Sequence, residues 1–235
     1  TSSYLNYFPD LKKNVLLDNH NLELKYEENI LSINGKGNVK IGDISDRIKY
    51  FITKDKDDFE FKTDLNIKKT SIKNQKLFKK NFPKTKDFID LKDHKLDIKY
   101  IDKKLYLKGE GGVRFENKFN NLKYSLIKNK DQLNLNSEIF LKSINLKNKK
   151  TLKNFFPSTK DFLNLKNHII KINYKNNFLS FSGKGQIKID KEFDDIDYFL
   201  SSELDKTTFN INIDLNKIDF KIKNINYKKN TKAIT

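Results

Sequence analysis

Three sets of residues in this 235-residue chain have the types and spacing to do chemistry: pairs of glycines two apart, three histidines, and tyrosines on the same interval. The glycines stand in "LSINGKGNVKI" (31–41), "LYLKGEGGVRF" (105–115) and "LSFSGKGQIKI" (179–189), each stretch 74 residues after the one before. A Gly-x-Gly can cradle phosphate with backbone N–H groups, but such a loop follows a strand and opens a helix. Here apolar alternation resumes at once with Val39 and Ile41, so the phosphate reading is set aside. His20, His94 and His168 could hold a metal or move a proton, yet the chain has no cysteine and no carboxylate stands at ligand spacing from them. The expected role is a hydrogen bond to a backbone group at the entry to a strand, with no metal. Tyr50, Tyr124 and Tyr198 read as amphipathic packing groups. With no Ser/His/Asp arrangement and no carboxylate pair on an apolar face, neither an enzyme nor a cofactor is expected.

The elements that carry these residues follow from the same 74-residue interval. Phe8-Pro9, Phe82-Pro83 and Phe156-Pro157 recur on it, as do Tyr26, Tyr100 and Tyr174, and these sites use every proline in the chain. A repeat of that period predicts three units, at 1–74, 75–148 and 149–235. Aligned on it, residue 1 falls in the middle of a linker, so the chain is expected to be a piece of a longer array. Within a unit, apolar residues alternate with period two, as in half-buried strands. Unit one reads as strand A near 20–26 (Leu22, Leu24, Tyr26), strand B over 30–41, strand C with Ile48, Tyr50 and Ile52, strand D over 59–67, and a short strand E with Thr70 and Ile72. Turns are expected at "EEN" (27–29), "GDIS" (42–45) and "KDKD" (54–57), which makes an antiparallel meander of five strands per unit. Between units, "NQKLFKKNFPKTKDFIDLKD" (74–93) should give a short helical turn stopped by Pro83, then a crossing segment.

Composition limits what such strands can build. Charged residues make up 34% of the chain and apolar residues 36%, so burial must be confined to one face of each strand. The net charge of +17 raises nucleic acid as a partner, but only Arg47 and Arg114 are arginine, and bidentate reading of bases or phosphates favours arginine. The lysines alternate with apolar residues and read as a solvated face, so no nucleic-acid partner is expected. No apolar run approaches the roughly 18 residues that cross a bilayer as a helix, and "TSSYLNYFPD" lacks the regions of a signal peptide, so a soluble or peripheral piece is expected.

A meander with one apolar face and nothing in the sequence to cover it must either curl or hold something apolar. Glycines at inward positions of the longest strand allow a sharp bend or a close ligand approach to the backbone. These strands, with their mid-strand Gly-x-Gly ("INGKGNV", "LKGEGGV", "FSGKGQI") and crossing linker, resemble the repeating β-groove units of bridge-like lipid-transfer proteins, and most of all the AsmA-like group of the YhdP type. That resemblance implies an all-β fold in which tandem units form an extended, taco-shaped groove. It implies phospholipid transport across the periplasm of a Gram-negative bacterium, with inner- and outer-membrane attachment through parts of the protein not present here. The groove-lining residues expected are Leu31, Ile33, Gly35, Gly37, Val39, Phe59 and Phe61 in unit one, and Leu105, Leu107, Gly109, Gly111, Val113, Leu135 and Ile139 in unit two. Unit three would supply Leu179, Phe181, Gly183, Gly185, Ile187, Phe209 and Ile213. The partner expected is the phospholipid acyl chain. The competing readings are a structural or adhesive β-repeat protein, which would bury this face, and an outer-membrane β protein.

Overall fold

The computed structural model describes residues 16–41, 44–74, 76–148, 161–189, 192–203, 206–214, 220–222 and 225–229. The anchors Phe8-Pro9 and Phe156-Pro157 lie outside these residues. The fold is all-β. Twelve strands form one antiparallel sheet in which each strand pairs with the next in sequence. They are β1 (Leu16–Glu27), β2 (Ile30–Ile41), β3 (Ile44–Lys54), β4 (Phe59–Lys73), β5 (Phe88–Ile101), β6 (Lys104–Arg114), β7 (Phe119–Lys128), β8 (Leu133–Lys147), β9 (Phe162–Lys175), β10 (Phe178–Lys188), β11 (Phe193–Glu203) and β12 (Lys206–Ile213). A separate hairpin pairs β13 (Phe220–Ile222) with β14 (Tyr227–Lys229), and a six-residue helix, α1 (Lys76–Asn81), lies between β4 and β5. The sheet is open: among the described residues, β1 and β12 each have a single hydrogen-bonded neighbour. At about 4.8 Å per strand it is roughly 50 Å wide.

Three of the hairpins turn on two residues that both have positive φ: Glu28 and Asn29 (52° and 65°), Asp102 and Lys103 (52° and 58°), and Asn176 and Asn177 (50° and 64°). This is the type I′ conformation whose twist matches that of the flanking strands, and Asn and Asp adopt it at low cost.

The glycine pairs recur every four strands, in β2, β6 and β10, and not every five as expected. Residues assigned to strands D and E form one 15-residue strand, β4, and the same merger makes β8. The break in alternation between Ile67 and Thr70 is a bulge and not a turn. Across β4 and β5 the residues pair without a slip, Ile67 with His94 and Thr70 with Leu91. Both strands therefore carry the irregularity side by side, and the register shift falls instead between β5 and β6, at Lys92/Lys95. The residue that absorbs it is Asp93, at φ 51°, with Asn19 and Asn167 in the same conformation at 52° in β1 and β9. A short polar side chain that tolerates left-handed geometry is what such a bulge requires.

The linker after β4 is shorter than expected, because Phe88, Ile89 and Leu91 already belong to β5. Its closure is a hydrogen-bonded staple. The Asn74 backbone N–H donates to the Asp87 carbonyl at 2.8 Å. The Asn74 amide donates to Thr85 Oγ1 at 2.9 Å and to the Lys86 carbonyl at 2.7 Å, and Thr85 Oγ1 donates to the Phe82 carbonyl at 2.6 Å. The staple projects Phe82 over the apolar face, against a core that includes Ile89, Val113, Leu141, Ile144, Leu163 and Leu165. Lys84 reaches the ring of Phe162 at 4.6 Å. The strand following β8 opens with a matching closure, Asn148 N–H to the Asp161 carbonyl at 2.9 Å.

Candidate functional site

Register places every predicted groove residue on one face of the sheet. Directly paired residues share a face, and the pairs run Ile33 to Ile52, Ile52 to Phe61, Phe61 to Tyr100 and Tyr100 to Leu105. They continue from Leu107 through Leu126 to Leu135, and from Phe181 through Leu200 to Phe209. The opposite face carries Lys, Asn and Asp, with scattered apolar residues such as Phe51, Tyr106 and Phe199.

The glycines have a use the sequence reading did not assign. A Cβ on Gly35, Gly109 or Gly183 would lie under 3.0 Å from the ring of Tyr50, Tyr124 or Tyr198 respectively. A Cβ on Gly37, Gly111 or Gly185 would lie under 3.0 Å from the ring of His20, His94 or His168. Each Gly-x-Gly is therefore a double socket, the first glycine filled by a tyrosine from the strand on one side and the second by a histidine from the strand on the other. The two rings meet at centroid distances of 5.9, 6.2 and 6.0 Å. This corrects the expectation that the glycines leave the backbone open to a ligand, because the space above them is filled by side chains of the protein itself.

The histidines sit just after the bulges, inside long strands and not at strand entries. One ring nitrogen of each lies 3.1 Å from a backbone carbonyl: Asp18 for His20, Gly112 for His94 and Lys166 for His168. Burial lowers the pKa of His94 and His168 below the ordinary histidine value, and burial raises Tyr124 and pushes Tyr198 up to about 12. All four groups are neutral at pH 7. A histidine whose pKa is lowered by folding contributes stability that is present above its unfolded value of about 6.5 and is lost as the pH falls from there toward the folded value. The protein is thus expected to melt at a lower temperature at pH 5.5 than at pH 7.5. In a His94→Phe/His168→Phe variant, which keeps a ring over each glycine, the difference between the two pH values should be smaller by several degrees.

A third recurring inward position escaped the sequence reading although it keeps the 74-residue interval: Asp46, Asn120 and Asp194, all buried. Asp46 Oδ1 accepts the Lys68 backbone N–H at 2.8 Å, and Asn120 Oδ1 accepts the Lys142 N–H at 2.8 Å. Asp46 and Asn120 thus each satisfy the backbone of the neighbouring strand at its bulge. Burial raises the pKa of Asp46, with the Lys68 N–H and charge acting the other way. Asp46 is 0% exposed, whereas Asn120 does the same work without a charge. A raised carboxyl pKa costs stability as the pH climbs through it. Asp46→Asn should therefore raise the melting temperature at pH 7, with the gain shrinking toward pH 4 in calorimetry.

Along the strands the apolar face divides in two. Toward the linkers it is closed, with Val39, Val113, Ile187 and Ile196 buried. Toward the hairpin turns it is open: Leu31, Phe59, Leu179 and Phe209 are exposed, while Ile33, Phe61, Leu105, Leu107, Leu135 and Phe181 are half-buried; Ile139 and Ile213, also half-buried, sit farther along, paired with the buried Ile170 and Ile196. Between these zones, over β9 to β12, lies an apolar cavity of about 390 Å³. Its walls include Phe82 from the linker, Leu165, Ile170, Phe181, Ile196 and Ile211. Phe82, Ile170, Ile196, Leu200 and Ile211 were not among the predicted lining residues, although the strand parity that selected Phe181 and Ile213 also selects all of these but Phe82, which lies in the linker. No protein-family model matches the chain, no curated protein matches its sequence, and no solved structure matches its fold.

Proposed function

We propose that the apolar face is a binding surface for the acyl chains of phospholipids, and that the chain is a segment of a protein that passes lipids along a taco-shaped groove of 74-residue units between two membranes of a bacterial envelope. The observation that carries this reading is the apolar cavity under Phe82, which opens onto a row of exposed apolar residues on the same face. Its volume lies within the range of small-molecule sites, and almost all of its wall is hydrocarbon. An acyl chain gains about 0.8 kcal/mol per buried CH₂, so a 16-carbon chain has roughly 12 kcal/mol at stake and needs a continuous apolar path. Rows free of charge run from Ile33 to Leu105 over β2–β6, from Leu107 to Leu135 over β6–β8 and from Phe181 to Phe209 over β10–β12, while at the hairpin rim the same face carries Lys54 between Leu31 and Phe59 and Lys128 between Leu105 and Leu133. Headgroups would stay at the open side, near the lysines of the strand ends, which favours anionic lipids in a salt-dependent manner. The function requires no reaction at any residue and no metal or cofactor.

A membrane-spanning β-barrel needs a closed sheet, because unpaired strand edges are not tolerated in hydrocarbon. Among the described residues the sheet is not closed, which favours the groove over the barrel. The test is uptake of a fluorescent phospholipid from vesicles of phosphatidylethanolamine and phosphatidylglycerol in detergent-free buffer. Saturable extraction that is weaker with phosphatidylethanolamine alone supports the reading, and no extraction from either vesicle counts against it.

A further inference from the structure

Lysines of this sheet keep to its outer face with two exceptions. At the paired positions of β2 to β12, the inner face carries a lysine at Lys54 and at Lys128. The two stand 74 residues apart, and each is the last residue of its strand, β3 or β7. Register sets both inside apolar rows at the hairpin rim. Lys54 pairs with Leu31 on one side and Phe59 on the other, and Lys128 pairs with Leu105 and Leu133. A tyrosine stands one strand farther on, Tyr26 beside Leu31 and Tyr100 beside Leu105. Unit three keeps the first two positions as Tyr174 and Leu179 but continues with Ser202 and Thr207.

Both lysines are exposed, and among the described residues neither forms an ion pair. Lys54 Nζ donates to the Lys56 carbonyl at 3.0 Å. The carboxylate that follows it, on Asp55, is turned into the hairpin, where it accepts the Asp57 and Asp58 N–H groups at 3.0 and 2.9 Å. After Lys128 the same work falls to an uncharged amide: Asn129 Oδ1 accepts the Asp131 and Gln132 N–H groups at 3.1 and 2.6 Å.

We infer that Lys54 and Lys128 are seats for the phosphate of a phospholipid whose acyl chains lie on the apolar rows beside them, an inference that rests on the lipid reading above. An ammonium binds phosphate as a compact point charge, and its four-carbon stem covers apolar surface while the head stays in water. In the outermost row of an apolar face it therefore meets both parts of one lipid. Farther in, it would have to give up its water beneath the acyl chains. The seats lie four strands apart, roughly 19 Å, so each serves a separate lipid. A headgroup with no cation of its own to compete for the phosphate binds best. Lysines that served only to keep exposed strand ends from self-association would be indifferent to headgroup chemistry.

The test compares uptake of fluorescent phosphatidylglycerol and phosphatidylethanolamine with the same acyl chains, each offered in phosphatidylcholine vesicles. The protein should prefer phosphatidylglycerol. Lys54→Gln/Lys128→Gln should reduce that preference by roughly fivefold, the factor that one cation contributes near an anionic lipid surface, with phosphatidylethanolamine uptake unchanged. Lys49→Gln/Lys123→Gln removes the same charge from the outer face of the same two strands and should leave the preference in place. Inorganic phosphate should compete no better than chloride at equal ionic strength. An unchanged preference in Lys54→Gln/Lys128→Gln, or an equal fall in both variants, would overturn the seats. Competition by inorganic phosphate beyond that of chloride would overturn them as lipid sites and mark them as sites for the free anion. Phosphatidylethanolamine uptake with no preference for phosphatidylglycerol would overturn the seats and leave the proposed lipid function standing, whereas uptake of neither lipid would overturn both.

Discussion

Gly109→Ala is expected to destabilise the protein by about 2–3 kcal/mol, an unusually large effect for adding one methyl group. The new Cβ would fall under 3.0 Å from the Tyr124 ring, whose centroid stands 6.2 Å from that of His94 in a tilted pair, so the ring must shift to make room. The decisive feature is a change of sign. In a Tyr124→Ala background the socket is empty, and alanine is then the better strand residue, because glycine loses more backbone freedom on folding by roughly 0.5–1 kcal/mol. Gly109→Ala should therefore be neutral or stabilising there, giving a coupling energy well above the few tenths of a kcal/mol seen for independent sites. Urea denaturation of the four proteins in this cycle measures it. If Gly109→Ala were equally harmful in both backgrounds, the glycine would be serving backbone geometry, and the socket account of all three Gly-x-Gly pairs would fail.

The second large effect concerns the open half of the apolar face. A carboxylate placed there must be desolvated by any acyl chain that covers it, which is costly without a partner. Leu179→Asp and Phe209→Asp together should cut co-purifying phospholipid by at least tenfold. Both side chains are substantially exposed, at 38% and 58%, so the fold should tolerate the changes. Phe199→Asp is the matched control: its ring is 40% exposed but stands on the opposite face of β11, paired with Ser182 and Asn210. Lipid content should not change in that variant. Equal loss in both would indicate general destabilisation and would remove the assignment of lipid to this face.

Much of the fold was legible because a period of two survives even when charge and apolar content are nearly balanced. Alternation through Leu31, Ile33, Val39 and Ile41 located β2, and the same pattern located β3 and β4. The strand count was misjudged where alternation slipped at Lys68 and Asp93. A turn and a paired bulge leave the same mark on the pattern, and the distinction depends on hydrogen bonds to the neighbouring strand. Asn19, Asp93 and Asn167 carried the available hint, as short polar residues that accept left-handed geometry immediately before each histidine. The glycine pairs show a different limit. Their inward placement could be read from parity, but their purpose depended on which rings lie across from them. Tyr50, Tyr124 and Tyr198 and the three histidines had been found on the same interval and the same face; only register, Gly35 against Tyr50 and Leu22, joins them to the glycines. Phe82 needed more still, since its place over Leu146 and Leu163 follows from how far the linker projects across the sheet, a property that no local pattern encodes.

The gradient along the strands gives the two halves of each strand separate work. The linker half is a conventional core, closed by Phe82 and by the socketed rings, and it sets stability. The hairpin half leaves apolar rows exposed, which monomeric soluble proteins seldom do over a large contiguous area. That pairing of a rigid, self-filled base with an uncovered apolar flank is what a lipid-carrying sheet needs, since the flank must remain available without the sheet collapsing upon itself.

The most direct test of lipid binding is native mass spectrometry of the protein purified from a Gram-negative host and stripped of detergent, followed by extraction and lipid analysis. The lipid account predicts mass additions that match intact phospholipids, recovered in the extract and reduced at least tenfold in Leu179→Asp/Phe209→Asp. A folded protein free of lipid, both as purified and after incubation with phospholipid vesicles, would contradict it and would mark the apolar face as a surface for packing alone.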